Sequence, residues 1–151
     1  MKISRNWLQT FFDNDLPSNE KIAEGLTFHS FEIEEVVKKD KDTIFDIKVL
    51  PNRAHDCLCH LGIAREISAI FELPLKNDSL RVEIKDINNT EKFALNIESK
   101  KVKRFKAVLI NGIEVKESPN WLRERIESMG GRSINNIVDI TNFVMFEIGE
   151  P

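Results

Sequence analysis

The sequence predicts an α+β chain in two parts. Three observations carry that reading. Apolar residues recur at helical spacing in several segments, short segments of period two lie between them, and 41% hydrophobic with 31% charged residues is a globular composition. At 151 residues the chain can hold one domain or two small ones. Its formal net charge of −3 gives no overall basic field to attract nucleic acid, so any RNA contact must be local or shared with a partner.

No apolar run approaches the roughly 20 residues of a spanning helix, and Met1-Lys2-Ile3-Ser4-Arg5-Asn6-Trp7 lacks the apolar stretch of a signal peptide. The chain therefore reads as soluble and cytoplasmic, with no membrane partner. Cys57 and Cys59, one residue apart, cannot build a disulfide framework, which fits a reducing compartment.

Along the chain, Ser4 is placed to cap a short helix carrying Trp7, Leu8, Phe11 and Phe12. Pro17-Ser18 starts a second, with Ile22, Ala23 and Leu26 inward. Phe31 and Ile33 alternate with glutamates, and Phe45, Ile47 and Val49 with Asp46 and Lys48, which predicts two antiparallel strands joined by the charged turn Lys38 to Asp42. Pro51-Asn52-Arg53 ends the second strand. Asp56 is expected to cap the next helix, whose face is Leu58, Leu61, Ala64, Ile67, Ser68 and Phe71, with Pro74 stopping it. Lys76 to Ser79 is the best boundary candidate.

Beyond it, Val82-Ile84, Phe93-Leu95-Ile97 and Phe105-Ala107-Leu109 alternate as half-buried strands. Ser118-Pro119 opens a helix as cap and N1 proline, with Trp121, Leu122, Ile126 and Met129 as its buried face and Gly130-Gly131 as its end. In the closing helix, Ile134, Ile137, Val138, Thr141, Met145 and Ile148 form a mostly apolar stripe, and Asn135, Asp139 and Asn142 a polar one. Short groups that fix hydrogen bonds suit either of two tasks: satisfying adjacent loop backbone, or forming a wall for a polar ligand.

Other constellations are weaker. His55, Cys57, Cys59 and His60 include zinc-ligand types, but four ligands within six residues rarely close a tetrahedron, and the simpler reading is a helix start with small buried cysteines. A metal-binding domain centred on the cysteines stays as an alternative that metal analysis would settle. Arg53, at a strand-to-helix corner, reads as an internal clamp on an acidic residue before it reads as a ligand-binding fork. Lys100-Lys101-Val102-Lys103-Arg104 lacks the interleaved aromatics of an RNA surface and fits a solvated turn equally well. Glycine-rich phosphate loops and nucleophile elbows are absent from the sequence.

Three blocks together resemble the start of the bacterial phenylalanine–tRNA ligase beta subunit. The first runs from Met1-Lys2-Ile3-Ser4 through Trp7-Leu8, with Ile22-Ala23-Glu24-Gly25-Leu26 and Phe31-Glu32-Ile33-Glu34. The second is Pro51-Asn52-Arg53-Ala54-His55-Asp56-Cys57-Leu58 with Gly62-Ile63-Ala64-Arg65-Glu66, and the third is Arg132 through Phe143. The resemblance implies an N-terminal beta-subunit domain over 1–78, small, helical and two-stranded, and the first part of an α+β editing domain over 79–151.

It further implies an α2β2 enzyme in which the alpha subunit makes the aminoacyl bond using ATP and magnesium. The partners would be that alpha subunit, the remainder of the beta subunit and tRNA(Phe). The editing domain of that family hydrolyses mischarged Tyr-tRNA, and Arg132, Thr141 and Asn142 match its pocket. One hydroxyl separates tyrosine from phenylalanine, so a second sieve of fixed donors and acceptors is useful chemistry. Two departures follow. The family usually inserts an oligonucleotide-binding barrel where Lys38 to Asp42 forms a tight turn here, and its pattern continues past Gly149-Glu150-Pro151 to a histidine that this sequence does not reach. The expectation is thus a truncated portion with no cofactor of its own, inactive alone. The competing expectation is a free-standing, non-catalytic binding or assembly module of the same fold.

Overall fold

The structure, a computed structural model, describes residues 1–77, 94–105 and 107–150. It is α+β. Strand β1 (Lys2–Ser4) leads into helix α1 (Arg5–Gln9), where the Ser4 hydroxyl accepts from the Trp7 N–H as an N-cap. Helix α2 (Asn19–His29) begins the same way, on Ser18, and buries Ile22 and Leu26. Strands β2 (Glu32–Lys39) and β3 (Asp42–Lys48) form the expected hairpin, in the register Glu32 to Lys48 and Lys39 to Asp42. Asp40 takes the positive φ of 51° that its tight turn requires.

The sheet has three strands where two were expected, in the order β1-β3-β2. Three residues are too few to display an alternating pattern, so β1 is invisible to periodicity. Pairing with β3 defines it, helped by the N-terminal ammonium, which donates to the Ile47 carbonyl and to Asp46 at 3.0 Å.

After β3 the chain makes a 3-10 turn (Pro51–Arg53), a single helical turn α3 (Ala54–Cys57), and helix α4 (His60–Phe71). Asp56 does not cap α4. The cap is Cys59, whose Sγ accepts from Gly62 N–H at 3.3 Å, because the extra turn α3 moves the true helix start three residues on. Leu58 is consequently exposed, and the buried face is His60, Ile63, Ala64 and Ile67. Glu72, at φ 52°, ends the helix two residues before Pro74.

Helices α5 (Asn120–Ser128) and α6 (Asn136–Ile148) close the described chain. Pro119, not Ser118, occupies the α5 N-cap position, and no side chain caps it. Leu122 and Ile126 are buried, but Trp121 is half exposed, with its ring edge-on to Phe143. Gly130 and Gly149 adopt φ near +80° just past the two helices, the left-handed conformation that glycine ends a helix with at least cost.

Two compact units result. One comprises Met1–Asn77 and Val115–Pro151, the other Asp78–Glu114. Packing thus groups the two closing helices with the N-terminal elements, a different division from the sequence modules 1–78 and 79–151. In the first unit Ile3, Leu8, Phe12, Ile22, Leu26, Phe45, Ile47, Ile63 and Ile67 form the main core, and Trp7, Leu122, Ile126 and Phe143 a second cluster. In the other unit the described residues are exposed and carry no strand, so the alternation at Leu95 and Ile97, and at Phe105, Ala107 and Leu109, does not correspond to ladder pairing at those residues. Alternation supplies only one half of a strand; a partner supplies the other. The strand expected at Val82-Ile84, and Phe93, lie outside the described residues.

Candidate functional site

Helix α6 and the loop before it read as two stripes in the sequence, and the inward face in the structure coincides with neither. Asp139, Phe143, Phe146 and Glu147 face inward, at spacings of four, three and one. Ile134, Ile137 and Ile148 of the apolar stripe are exposed, as are Ile140 and Val144 beside it. The physical reason is in the partners. The inward face meets aromatic rings and hydroxyls that a carboxylate and a phenyl ring satisfy together.

Asp139 is fully buried. It accepts from Ser118 Oγ at 2.5 Å, Ser133 Oγ at 2.6 Å and the Ile134 N–H at 3.0 Å. Burial pushes its carboxyl up, but those three hydrogen bonds outweigh it and leave the group below the usual carboxylate value. Asn135 is the helix N-cap, its side chain accepting from Ile137 and Val138 N–H, both at 3.0 Å. Asn136 pins Lys116 in both directions, through its own N–H and its Oδ1. Asn135 and Asp139 therefore satisfy adjacent loop backbone and hydroxyls, one of the two tasks their chemistry suits.

The other named residues stand differently. Arg132 is exposed in the loop before the helix, Thr141 is exposed with its hydroxyl donating to the Val138 carbonyl, and Asn142 is half-buried. The side chains of Arg132 and Asn142 have no hydrogen-bond partner among the described residues.

Sequence reasoning missed what seats α6. His60 is fully buried, its ring 4.0 Å from Trp7 and nearly parallel to it. His60 Nε2 accepts from the Ser4 N–H at 3.2 Å, and Nδ1 lies 2.9 Å from the Phe146 carbonyl. Trp7 stacks in turn on Phe143, donates through Nε1 to Glu147, and shares the Arg125 guanidinium with Trp121 and Phe143. In the sequence His60 stood only within the cluster His55, Cys57, Cys59 and His60, whose simpler reading as a helix start with buried cysteines gave the histidine no role.

Those metal-type residues disperse. His55 is exposed, Cys57 lies under Arg53, Cys59 caps α4, and both ring nitrogens of His60 are engaged. Burial pushes the Cys57 thiol up to about 12 and also raises Cys59, so both stay protonated. Among the described residues no group of three or more His, Cys, Asp or Glu side chains could hold a metal ion.

Arg53 is the internal clamp. It grips Asp56 at 2.7 Å and Glu66 at 2.8 Å, and the Ser30 hydroxyl donates to the same Glu66. Asp56 and Glu66 hold its guanidinium charged. Beside it a cleft of about 340 Å³ is lined by Phe31, Lys48, Leu50 and Asn52 among others. Lys48 in that cleft is itself paired with Glu32 at 3.1 Å.

The class of protein follows from comparison with known families. Residues 101–151 match the model of the B3/4 domain. The chain is 46% identical to a phenylalanine–tRNA ligase beta subunit of Fusobacterium nucleatum over 113 residues, which is 73% of this chain and 14% of that protein. Over 152 residues, all of this chain and 22% of the relative, it is 34% identical to the beta subunit of Rhodopirellula baltica. The Aquifex aeolicus subunit is 43% identical over 110 residues, again 73% of the chain and 14% of the relative.

The chain is therefore homologous to a portion of the phenylalanine–tRNA ligase beta subunit. It spans about a seventh to a fifth of these relatives. The Rhodopirellula alignment is one residue longer than this chain, so it leaves no room at the β2–β3 turn for an insertion of domain size. No helix among the described residues is long and apolar enough to cross a membrane.

Proposed function

We propose that this chain supplies the N-terminal framework of a phenylalanine–tRNA ligase beta subunit together with one wall of its editing pocket, where mischarged Tyr-tRNA is hydrolysed. The observation that carries this reading is the division of labour around α6. Asn135 and Asp139 are consumed by the fold, whereas Arg132 and Asn142 remain open to a ligand and Thr141, whose proton goes to the Val138 carbonyl, keeps its exposed oxygen as an acceptor. Asn142 offers a neutral donor and acceptor and Thr141 an acceptor able to read one hydroxyl, and Arg132 offers a fork for a carboxylate-like or phosphate oxygen at the tRNA end.

The open wall adjoins the exposed ridge Ile134, Ile137, Ile140, Val144 and Ile148. Such a ridge supports a chain that buries this face against further polypeptide rather than a self-sufficient binding module. In that setting the partners are the alpha subunit, the remainder of the beta subunit and tRNA(Phe) in an α2β2 cytoplasmic enzyme. ATP and magnesium would serve the aminoacylation step of that assembly. No cluster among the described residues here fits a magnesium ion, and no step is assigned to one.

Alone, the chain neither aminoacylates nor edits. Adding it to Tyr-tRNA(Phe) tests this: deacylation stays at the buffer rate, and hydrolysis clearly above it would refute the incomplete pocket. A cooperative melt with no binding of a hydrophobic dye would favour the free-standing module instead.

A further inference from the structure

We propose that His60 is a proton-operated catch, which holds α6 to β1 and α1 while its ring is neutral and releases the C-terminal turns of α6 when the ring is protonated. The inference rests on the geometry around the ring and not on the editing assignment. His60 Nε2 faces the Ser4 N–H, which can only donate, and Nδ1 faces the Phe146 carbonyl, which can only accept. Only the neutral tautomer with its proton on Nδ1 satisfies both. A second proton would sit on Nε2 and point at a donor, in a site closed to water.

The catch reaches α6 by three routes. The Phe146 carbonyl is bonded directly; Phe143 stacks on Trp7, and Glu147 accepts from Trp7 Nε1, while Trp7 itself lies on the His60 ring. Losing the Ser4 bond therefore disturbs the base of a stack that carries three inward positions of one helix. The charged groups facing it are few. Arg125 of α5 lies 5.1 Å from the Trp7 ring centroid and opposes a second positive charge, while Glu147 of α6 is engaged with the indole. On the strand side Asp42 is occupied by the Ser4 hydroxyl and the Asn6 N–H, and the neighbouring Cys59 thiol stays protonated.

Burial, with a smaller push from Arg125 and against the upward pull of the Phe146 hydrogen bond, holds the ring down at about 4 against the ordinary 6.5. The open form, with an ordinary histidine, gains on the closed one as pH falls between those values. Between pH 7 and pH 4.5 its relative population rises on the order of fifty-fold.

Hydrogen exchange on the 151-residue chain tests the catch. Protection factors of the amides from Phe143 to Ile148 should fall about fifty-fold over that pH interval, ahead of those in β3. His60→Gln, whose amide can accept from Ser4 and donate to Phe146 without titrating, should abolish the fall. An equal fall in H60Q, or an equal fall in β3, overturns the proposal. Should H60Q fail to fold, the ring nitrogen shifts of the unaltered chain decide: a neutral Nδ1–H ring at pH 6 supports the catch, and a protonated ring or an Nε2–H tautomer at that pH overturns it.

Discussion

The Trp7 indole lies parallel to the Phe143 ring, with 5.1 Å between centroids and 6° between planes, and so joins the first helix of the chain to the last. Both rings belong to the second core cluster with Leu122 and Ile126. Phe143→Ala would leave a cavity against Trp7 and should cost about 3 kcal/mol in urea unfolding. Phe143→Leu, which keeps most of the volume, should cost about 1 kcal/mol. Equal losses for the two would mean that the cluster is not packed as described.

Acid should destabilise the chain in two windows. His60 has a folded value near 4, below its unfolded 6.5, so the folded state binds fewer protons and stability falls as pH drops from 6.5 towards 4. The full loss is about 3 kcal/mol. Asp139 is likewise lowered by folding, so the stability it confers is present above the ordinary carboxylate range and is lost as pH falls through its folded value. Denaturant midpoints measured from pH 7 to pH 3 check both. H60Q should flatten the upper window only, and Asp139→Asn the lower only.

Gly62 is the residue where a single methyl group should do most harm. A Cβ there would stand 2.0 Å from the Asp56 carbonyl oxygen and 2.7 Å from Cys57 Cα, both backbone atoms that cannot swing aside. Gly62→Ala should therefore cost at least about 2 kcal/mol despite alanine's better helix propensity. A thermal melt at or above the parent value would contradict the tight α3–α4 junction.

Cysteine chemistry offers a fourth probe. Burial raises both thiols, and Cys57 reaches about 12. At pH 7.5 each should react with iodoacetamide at least tenfold more slowly than free cysteine, and both should reach the free rate in denaturant. Rapid labelling of the native chain would mean that the α4 cap is open.

Local signals in the sequence were read correctly wherever one residue type has one dominant use. Ser4 and Ser18 cap their helices, Gly130 follows its own, and the Lys38 to Asp42 turn joins two alternating strands. The errors arose where a tertiary partner decides. The inward face of α6 is set by Trp7, Ser118 and Ser133, from other elements and the preceding loop, so its own periodicity separated two stripes without telling which residues face inward. Ser118 reads as a cap from its neighbour Pro119, but Asp139, 21 residues on, takes its hydroxyl. Within the candidate site, the two polar tasks were both foreseen for the stripe, and only geometry could assign Asn135 and Asp139 to the structural one. His60 had no local signature at all, since both of its hydrogen bonds go to residues more than fifty positions away.

The central claim is that the open polar residues of the closing helix form an editing wall. Its most direct test is deacylation of Tyr-tRNA(Phe) by a phenylalanine–tRNA ligase whose beta subunit carries this chain in place of the matching segment, the Rhodopirellula baltica subunit being suited because its alignment runs the full length. The account predicts that Asn142→Ala and Thr141→Val each slow deacylation at least tenfold while phenylalanine attachment is unchanged, and that Ile137→Ala does not. Deacylation untouched by both polar substitutions would contradict it.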